Sequence, residues 1–236
     1  MSARCRKVFW ENPYLCELET RIIEVCGNEV LFDKTIAYSC SGGQESDNAF
    51  FGERKIISSR FIGLDIWYTF SENHGLMVGD SGIMAIDWIR RNRLMRYHML
   101  CELVLAITNR YFGKIDRELE PDDIDNVGIV KVMAKMSDSG AYVDFDHMDM
   151  RPHLGNIQSE LDRIITADLP IEKGFIDQVA QIRYWRIHGL ATIPCGGTHV
   201  KSTGELGHAK LSRDRTTSKL TINKKAERIK IKLLNE

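Results

Sequence analysis

A cysteine and a histidine four residues apart, Cys195 and His199, are joined by Gly196-Gly197-Thr198 and preceded by Pro194. Two glycines let the chain turn sharply, so that a thiolate and an imidazole can face one ion. Sulfur and nitrogen donors suit Zn2+, which takes four ligands in structural sites and three protein ligands plus water in catalytic ones. Far upstream, Arg93-Leu94-Met95-Arg96-Tyr97-His98 runs into an apolar stretch. Residues three and four apart share a helix face, which puts Cys101 and Glu102 beside His98. Thiolate and carboxylate bind zinc at similar distances, so spacing alone leaves either open as a further ligand. The expectation is one zinc site divided between a helix and a later loop.

The elements that must hold these residues follow from periodicity. Residues 87–112 contain good helix formers and no proline or glycine, and Gly113 stands where a helix would stop. Leu94, Met95, Met99, Leu100, Leu103, Val104, Leu105 and Ile107 go most of the way round that helix, which predicts burial on several sides and fixed rotamers for its ligands. Before it the chain reads as strands. Residues 15–26 alternate in part, Gly27-Asn28 is a two-residue hairpin signal, and Val30-Leu31-Phe32 follows. Residues 55–70 and 82–88 carry β-branched and aromatic side chains between turns. After the helix, residues 141–146 alternate. Ile157, Leu161, Ile164 and Ile165 repeat at helical spacing before Asp168-Leu169-Pro170, and a strand is expected from about residue 171. Residues 207–212 and 229–233 alternate apolar with polar or basic side chains, as a hairpin would. The class is α+β, with a β-rich domain over 1–86 and an α+β domain over 87–236.

Composition narrows the function. With 236 residues and 43% hydrophobic side chains the chain has room for one large or two modest globular domains. No run of about 18 apolar residues occurs and no leader or lipidation signal is evident, so a soluble, cytoplasmic protein without a membrane partner is expected. The 6 cysteines are irregularly spaced, which favours thiols and metal ligands over a disulfide framework. A net charge of -1 does not announce a nucleic-acid binder, and no DNA partner is expected, but the charge is uneven. Residues 201–236 hold ten Lys or Arg against four Asp or Glu, while Glu118, Glu120, Asp122, Asp123 and Asp125 form an acidic segment. Arg90, Arg91, Arg93 and Arg96 precede His98. Basic faces near a metal site fit a phosphate-bearing partner.

Three blocks together carry a family resemblance: Arg93 to His98; Cys195-Gly196-Gly197-Thr198-His199-Val200 with Thr203-Gly204-Glu205-Leu206-Gly207; and Asp33-Lys34-Thr35-Ile36-Ala37-Tyr38 followed by Ser41-Gly42-Gly43-Gln44-Glu45-Ser46-Asp47. In order and spacing the chain resembles the editing domain of alanyl-tRNA synthetase, the threonyl/alanyl-tRNA synthetase second additional domain, and its free-standing relatives, the AlaX proteins. The resemblance implies a small N-terminal β-barrel-like part with a glycine-rich loop and an α+β editing part with a buried central helix. It also implies a zinc-dependent aminoacyl-tRNA deacylase acting on alanine tRNA wrongly charged with serine or glycine. No candidate for an ATP-binding region is found, so ligase activity is not expected. The implied metal ligands are His98, Glu102, Cys195 and His199, with Cys101 as the alternative to Glu102, which stands where the family has a second histidine. Thr35, Gly42, Gly43 and Gln44 are the implied substrate-binding and catalytic positions, with Thr35 recognising a small side chain. Contacts to the aminoacyl-tRNA are expected from Arg90, Arg91, Arg93, Arg96, Lys201 and Lys210. Two further readings stay open: a non-catalytic RNA-binding protein with a degenerate metal site, and an esterase for another aminoacyl substrate.

Overall fold

A computed structural model describes residues 4–112, 131–146, 150–214 and 226–234. The acidic segment and Gly113 as helix stop lie outside the described residues. The chain divides into two compact units, Met1–Arg93 and Leu94–Glu236. The class is mixed α+β, and no helix among the described residues is long and apolar enough to cross a membrane.

In the first unit the strands are β1 (Arg6–Lys7), β2 (Glu17–Cys26), β3 (Glu29–Phe32), β4 (Lys34–Thr35), β5 (Ala49–Phe51), β6 (Arg54–Lys55), β7 (Ser58–Ile62), β8 (Asp65–Thr69) and β9 (Ser81–Ile86), with a short helix α1 (Val8–Glu11) after β1. Seven of them form one antiparallel sheet in the order β6-β5-β9-β2-β3-β8-β7. Strand β2 serves both halves: Glu17 to Arg21 pair with β9, Ile22 to Cys26 pair with β3, and the register shifts between Ile22 and Glu24. A bulge bends its strand and increases the local twist, and the sheet is curled into a half-barrel. Its inner side is filled by Ile22, Val30, Phe32, Ile36, Tyr68, Phe70 and Met84. The turn at Gly27-Asn28, with Gly27 at φ +60°, joins β2 to β3 as the hairpin signal predicted.

Helix α2 (Trp88–Tyr111) begins in the first unit, and the division of the chain falls within it. The second unit adds β10 (Lys131–Ser137), β11 (Gly140–Asp146), α3 (Leu154–Thr166), β12 (Glu172–Asp177), β13 (Ile182–Ile187), β14 (Ala191–Pro194), a 3-10 turn (Thr203–Leu206), β15 (Ala209–Asp214) and β16 (Ala226–Leu233). Two antiparallel sheets result, one in the order β10-β11-β16-β15 and one in the order β12-β13-β14. Every residue of α2 from Tyr97 to Asn109 is buried, in keeping with apolar side chains spread round its whole circumference. Helix α3 buries one stripe, Ile157, Leu161, Ile164 and Ile165. It also reaches the edge strand β15 through a single side chain. The Gln158 amide donates to the Ala209 carbonyl at 3.0 Å and accepts from the Leu211 N–H at 2.7 Å.

Candidate metal centre

Cys195 leaves the end of β14, and its N–H donates to the Arg183 carbonyl of β13 at 2.8 Å, which fixes where the loop to His199 begins. The facing part of α2 is pinned on its flanks. The Arg96 guanidinium donates twice to the Leu206 carbonyl, at 2.8 and 3.0 Å, and the Tyr97 hydroxyl accepts from the Leu233 N–H at 3.3 Å. His98 therefore meets the loop in a set place. Its Nε2 lies 2.9 Å from the Cys195 Sγ, and its ring is edge-on to that of His199 with centroids 4.9 Å apart. The ligand atoms of His98, Cys195 and His199 all lie within 4.8 Å of one another. Both histidines are buried and Cys195 is half-buried.

The glycine at 197 is what permits this approach. A Cβ there would sit 2.4 Å from the His98 Nε2 and 2.5 Å from its Cε1, distances at which one of the two must move. His199 has no hydrogen-bond partner at either ring nitrogen among the described residues, although it is only 1% exposed. Burial, with His98, Arg183 and Lys173 nearby, holds its pKa well below the ordinary histidine value, so the ring is neutral and carries a lone pair at neutral pH. A buried polar group without a partner costs about 1–3 kcal/mol. A cation relieves that cost, and one thiolate with two imidazoles is a donor set that fits zinc.

Glu102 and Cys101 fall outside this group of three. Glu102 is buried, at 3% exposure, one turn beyond His98, and the Cys101 thiol is directed at the Tyr142 carbonyl, 3.9 Å away. Two cations that sequence reasoning missed frame the loop instead. Arg183, 5% exposed, donates to the Gly197 carbonyl at 3.4 Å, and burial pushes its pKa down to about 10. The Lys173 ammonium donates to the carbonyls of His199 and Val200 at 3.4 and 3.2 Å, and burial lowers its pKa too. The signal was present in β13, where alternation puts Arg183 on the same buried face as Trp185 and Ile187.

In the first unit the glycine-rich loop is a tight turn. Backbone bonds run both ways between Ser41 and Gln44, at 3.0 and 3.3 Å, with Gly42 at φ +57° and Gly43 at φ +92°, a region L side chains rarely adopt. Gln44 is fully buried. Asp47 closes the loop by accepting the Tyr38 N–H at 2.7 Å and pairing with Arg91, whose Nε lies 2.9 Å from its Oδ1. Arg91 also donates to the carbonyls of Pro13 at 3.0 Å and Ile36 at 2.5 Å and has no exposed surface. This corrects its expected place among the phosphate contacts: it is an internal clamp on the loop. Arg90 is half-buried and paired with Glu45 at 2.8 Å, Arg93 and Arg96 are half-buried, and Lys201 and Lys210 are exposed. Thr35, on β4, is fully buried, with its Oγ1 2.7 Å from the Tyr68 hydroxyl and accepting from the Ala37 N–H at 3.0 Å. Tyr68 gives its own proton to the Ala37 carbonyl at 2.6 Å, so Thr35 is the donor between the two hydroxyls and keeps a lone pair.

Comparison with known proteins finds similarities over part and over most of the chain. Residues 182–230, from β13 to β16, match the threonyl and alanyl tRNA synthetase second additional domain. An alanyl-tRNA editing protein AlaX-M of Pyrococcus horikoshii is 28% identical, over 87% of this chain and 89% of its own length. A second AlaX-M, of Saccharolobus solfataricus, is also 28% identical, over 85% of this chain and 89% of its own. An alanine–tRNA ligase of Methanococcus aeolicus is 27% identical over 86% of this chain, which spans only 23% of the ligase. Over most of its length this chain is similar to AlaX-type alanyl-tRNA editing proteins.

Proposed function

We propose that the protein is an aminoacyl-tRNA deacylase that hydrolyses the ester of alanine tRNA charged with serine or glycine, and that His98, Cys195 and His199 hold one zinc ion. The convergence of these three side chains from α2 and the β14 loop carries the reading, and the similarity to AlaX-M proteins over 87% of the chain supports it. A zinc ion held there supplies Lewis-acid polarisation of a carbonyl, acidification of water, or orientation of an amino group. Three protein donors rather than four match the ligand count of catalytic zinc sites, which keep one position for water or substrate.

The rest is work for the chain's own groups. Ester hydrolysis builds negative charge on the carbonyl oxygen, and preorganised cations and N–H groups lower that barrier because they need not reorient. Arg183 and Lys173, held by the carbonyls of the ligand loop, are fixed positive charges of this kind. Thr35 suits side-chain selection, since its remaining lone pair accepts from a serine hydroxyl and gains nothing from a methyl group. Gln44, Gly42 and Gly43 form a rigid turn suited to meeting the terminal nucleotide.

The protein purified without chelator should carry about one zinc per chain and deacylate Ser-tRNA(Ala) faster than Ala-tRNA(Ala), and His199→Ala or Cys195→Ala should abolish both zinc and activity. Turnover unchanged in either variant rejects the site. A metal-free, inactive protein that still binds tRNA points instead to the non-catalytic reading.

A further inference from the structure

The four-stranded sheet of the second unit has one face packed inward and one face open. Register and burial assign the faces. Ala141, Val143, Phe145, Leu211, Ile229, Ile231 and Leu233 are buried, while their neighbours in the chain point the other way. On the open face lie Lys135 of β10, Tyr142 of β11, Arg228, Lys230 and Lys232 of β16, and Lys210 of β15. Among the residues whose side chains are described, the acids on the same face are Asp144, which binds the Arg228 guanidinium at 2.7 and 2.8 Å, and Asp214, which binds Lys230 at 2.7 Å. These satisfy two of the five cations. Lys135, Lys210 and Lys232 are exposed and have no acidic partner among the described residues.

Lys210 and Lys232 are direct cross-strand partners. Like charges in that position destabilise a sheet, so the pair costs the isolated protein stability and rewards an anion laid across both. Lysine on a border strand is a common device against unwanted strand pairing, which accounts for Lys135 or Lys210. It does not account for Lys230 and Lys232, since β16 is an inner strand. The Arg228 Cζ sits over the Tyr142 ring, 3.6 Å from its centroid, so a guanidinium and an aromatic ring occupy the middle of the face, bordered by lysines. Strands in one sheet are about 4.8 Å apart, which spreads these charges across the face instead of gathering them at one point. A polyanion with regularly spaced charge fits such a face better than one phosphate ion does.

We propose that this open sheet face, with Lys135, Lys210 and Lys232 as its free charges, is the surface on which the protein docks the sugar-phosphate backbone of RNA. The inference rests on the proposed function for its choice of RNA over other polyanions, and it adds a contact made by residues other than those proposed to hold the ester. Phosphate contacts position a nucleic acid without reading its bases, so the face sets affinity and register.

The test is the triple variant Lys135→Glu/Lys210→Glu/Lys232→Glu, with thermal unfolding as a folding control. Its kcat/KM on full-length Ser-tRNA(Ala) should fall at least tenfold through KM, while hydrolysis of seryl-adenosine, which lacks the RNA body, should be unchanged. The log–log salt dependence of binding to uncharged tRNA should become shallower by about 2–3, the loss of three phosphate contacts. An unaltered KM and salt slope, with wild type active on Ser-tRNA(Ala), overturns the surface and leaves the function standing. A wild type that is inactive on every aminoacyl ester, yet binds tRNA through these lysines, overturns the function and leaves the surface standing. Binding of phosphatidylserine-containing vesicles through the same lysines, without any effect on tRNA, assigns the face to a membrane and overturns the proposal.

Discussion

At the scale of the residue, the close packing of Gly197 on His98 has the sharpest outcome. Gly197→Ala places a methyl group 2.4 Å from the ring nitrogen, so the zinc content should drop severalfold while the thermal midpoint of the chelated protein changes little. Zinc analysis beside a melting curve reads both. Glu102→Gln should keep the full zinc content, because Glu102 lies outside the converging three; a loss comparable to that of Cys195→Ala would make the carboxylate a ligand. Cys195 and His199 were legible because both sit in one short loop, where sequence spacing limits spatial distance. Glu102 was harder to assign. A residue four positions on stands about 40° round the helix, and whether its side chain turns towards His98 depends on packing that spacing does not encode. Arg91 was misread for a related reason. A run of arginines looks like a surface patch, and only the placement of Asp47, Pro13 and Ile36 around one of them turns it inward.

At the scale of the element, the glycine-rich loop depends on that buried pair. Arg91→Ala leaves the Asp47 carboxylate buried without its counter-ion, and breaking such a pair typically costs about 3–5 kcal/mol. Urea unfolding should show a loss of this size for Arg91→Ala and for Asp47→Ala, with the double variant well short of the sum; full additivity would mean that the two do not act together. The first hairpin and helices α2 and α3 were legible, because each has a strong local signal: a two-residue turn, an uninterrupted run of helix formers, or a clean apolar stripe. Strands β10, β13 and β14 were not singled out. In β10, Lys-Val-Met-Ala-Lys-Met-Ser is short and mixed in character, and it becomes a strand by pairing with β11 through the turn between Ser137 and Gly140. In β13 an inward arginine blurs the alternation that would have marked it.

At the scale of the whole molecule, a metal site built from distant parts of the chain, as proposed, would couple the ion to folding. An unfolded chain does not hold His98, Cys195 and His199 together, so a zinc ion bound as proposed would favour the native state and add to its stability by mass action. Chelation should therefore lower the thermal midpoint of the wild type by several degrees and leave Cys195→Ala unmoved; equal midpoints with and without chelator would show that no tight ion is bound. A further consequence follows from Gln158. Its amide occupies a carbonyl and an N–H of β15 as a neighbouring main chain would, so one rigid helix closes that border with a side chain that cannot extend the ladder. Two copies meeting there find those hydrogen-bonding groups already taken, which hinders growth of the sheet into a fibre on that side.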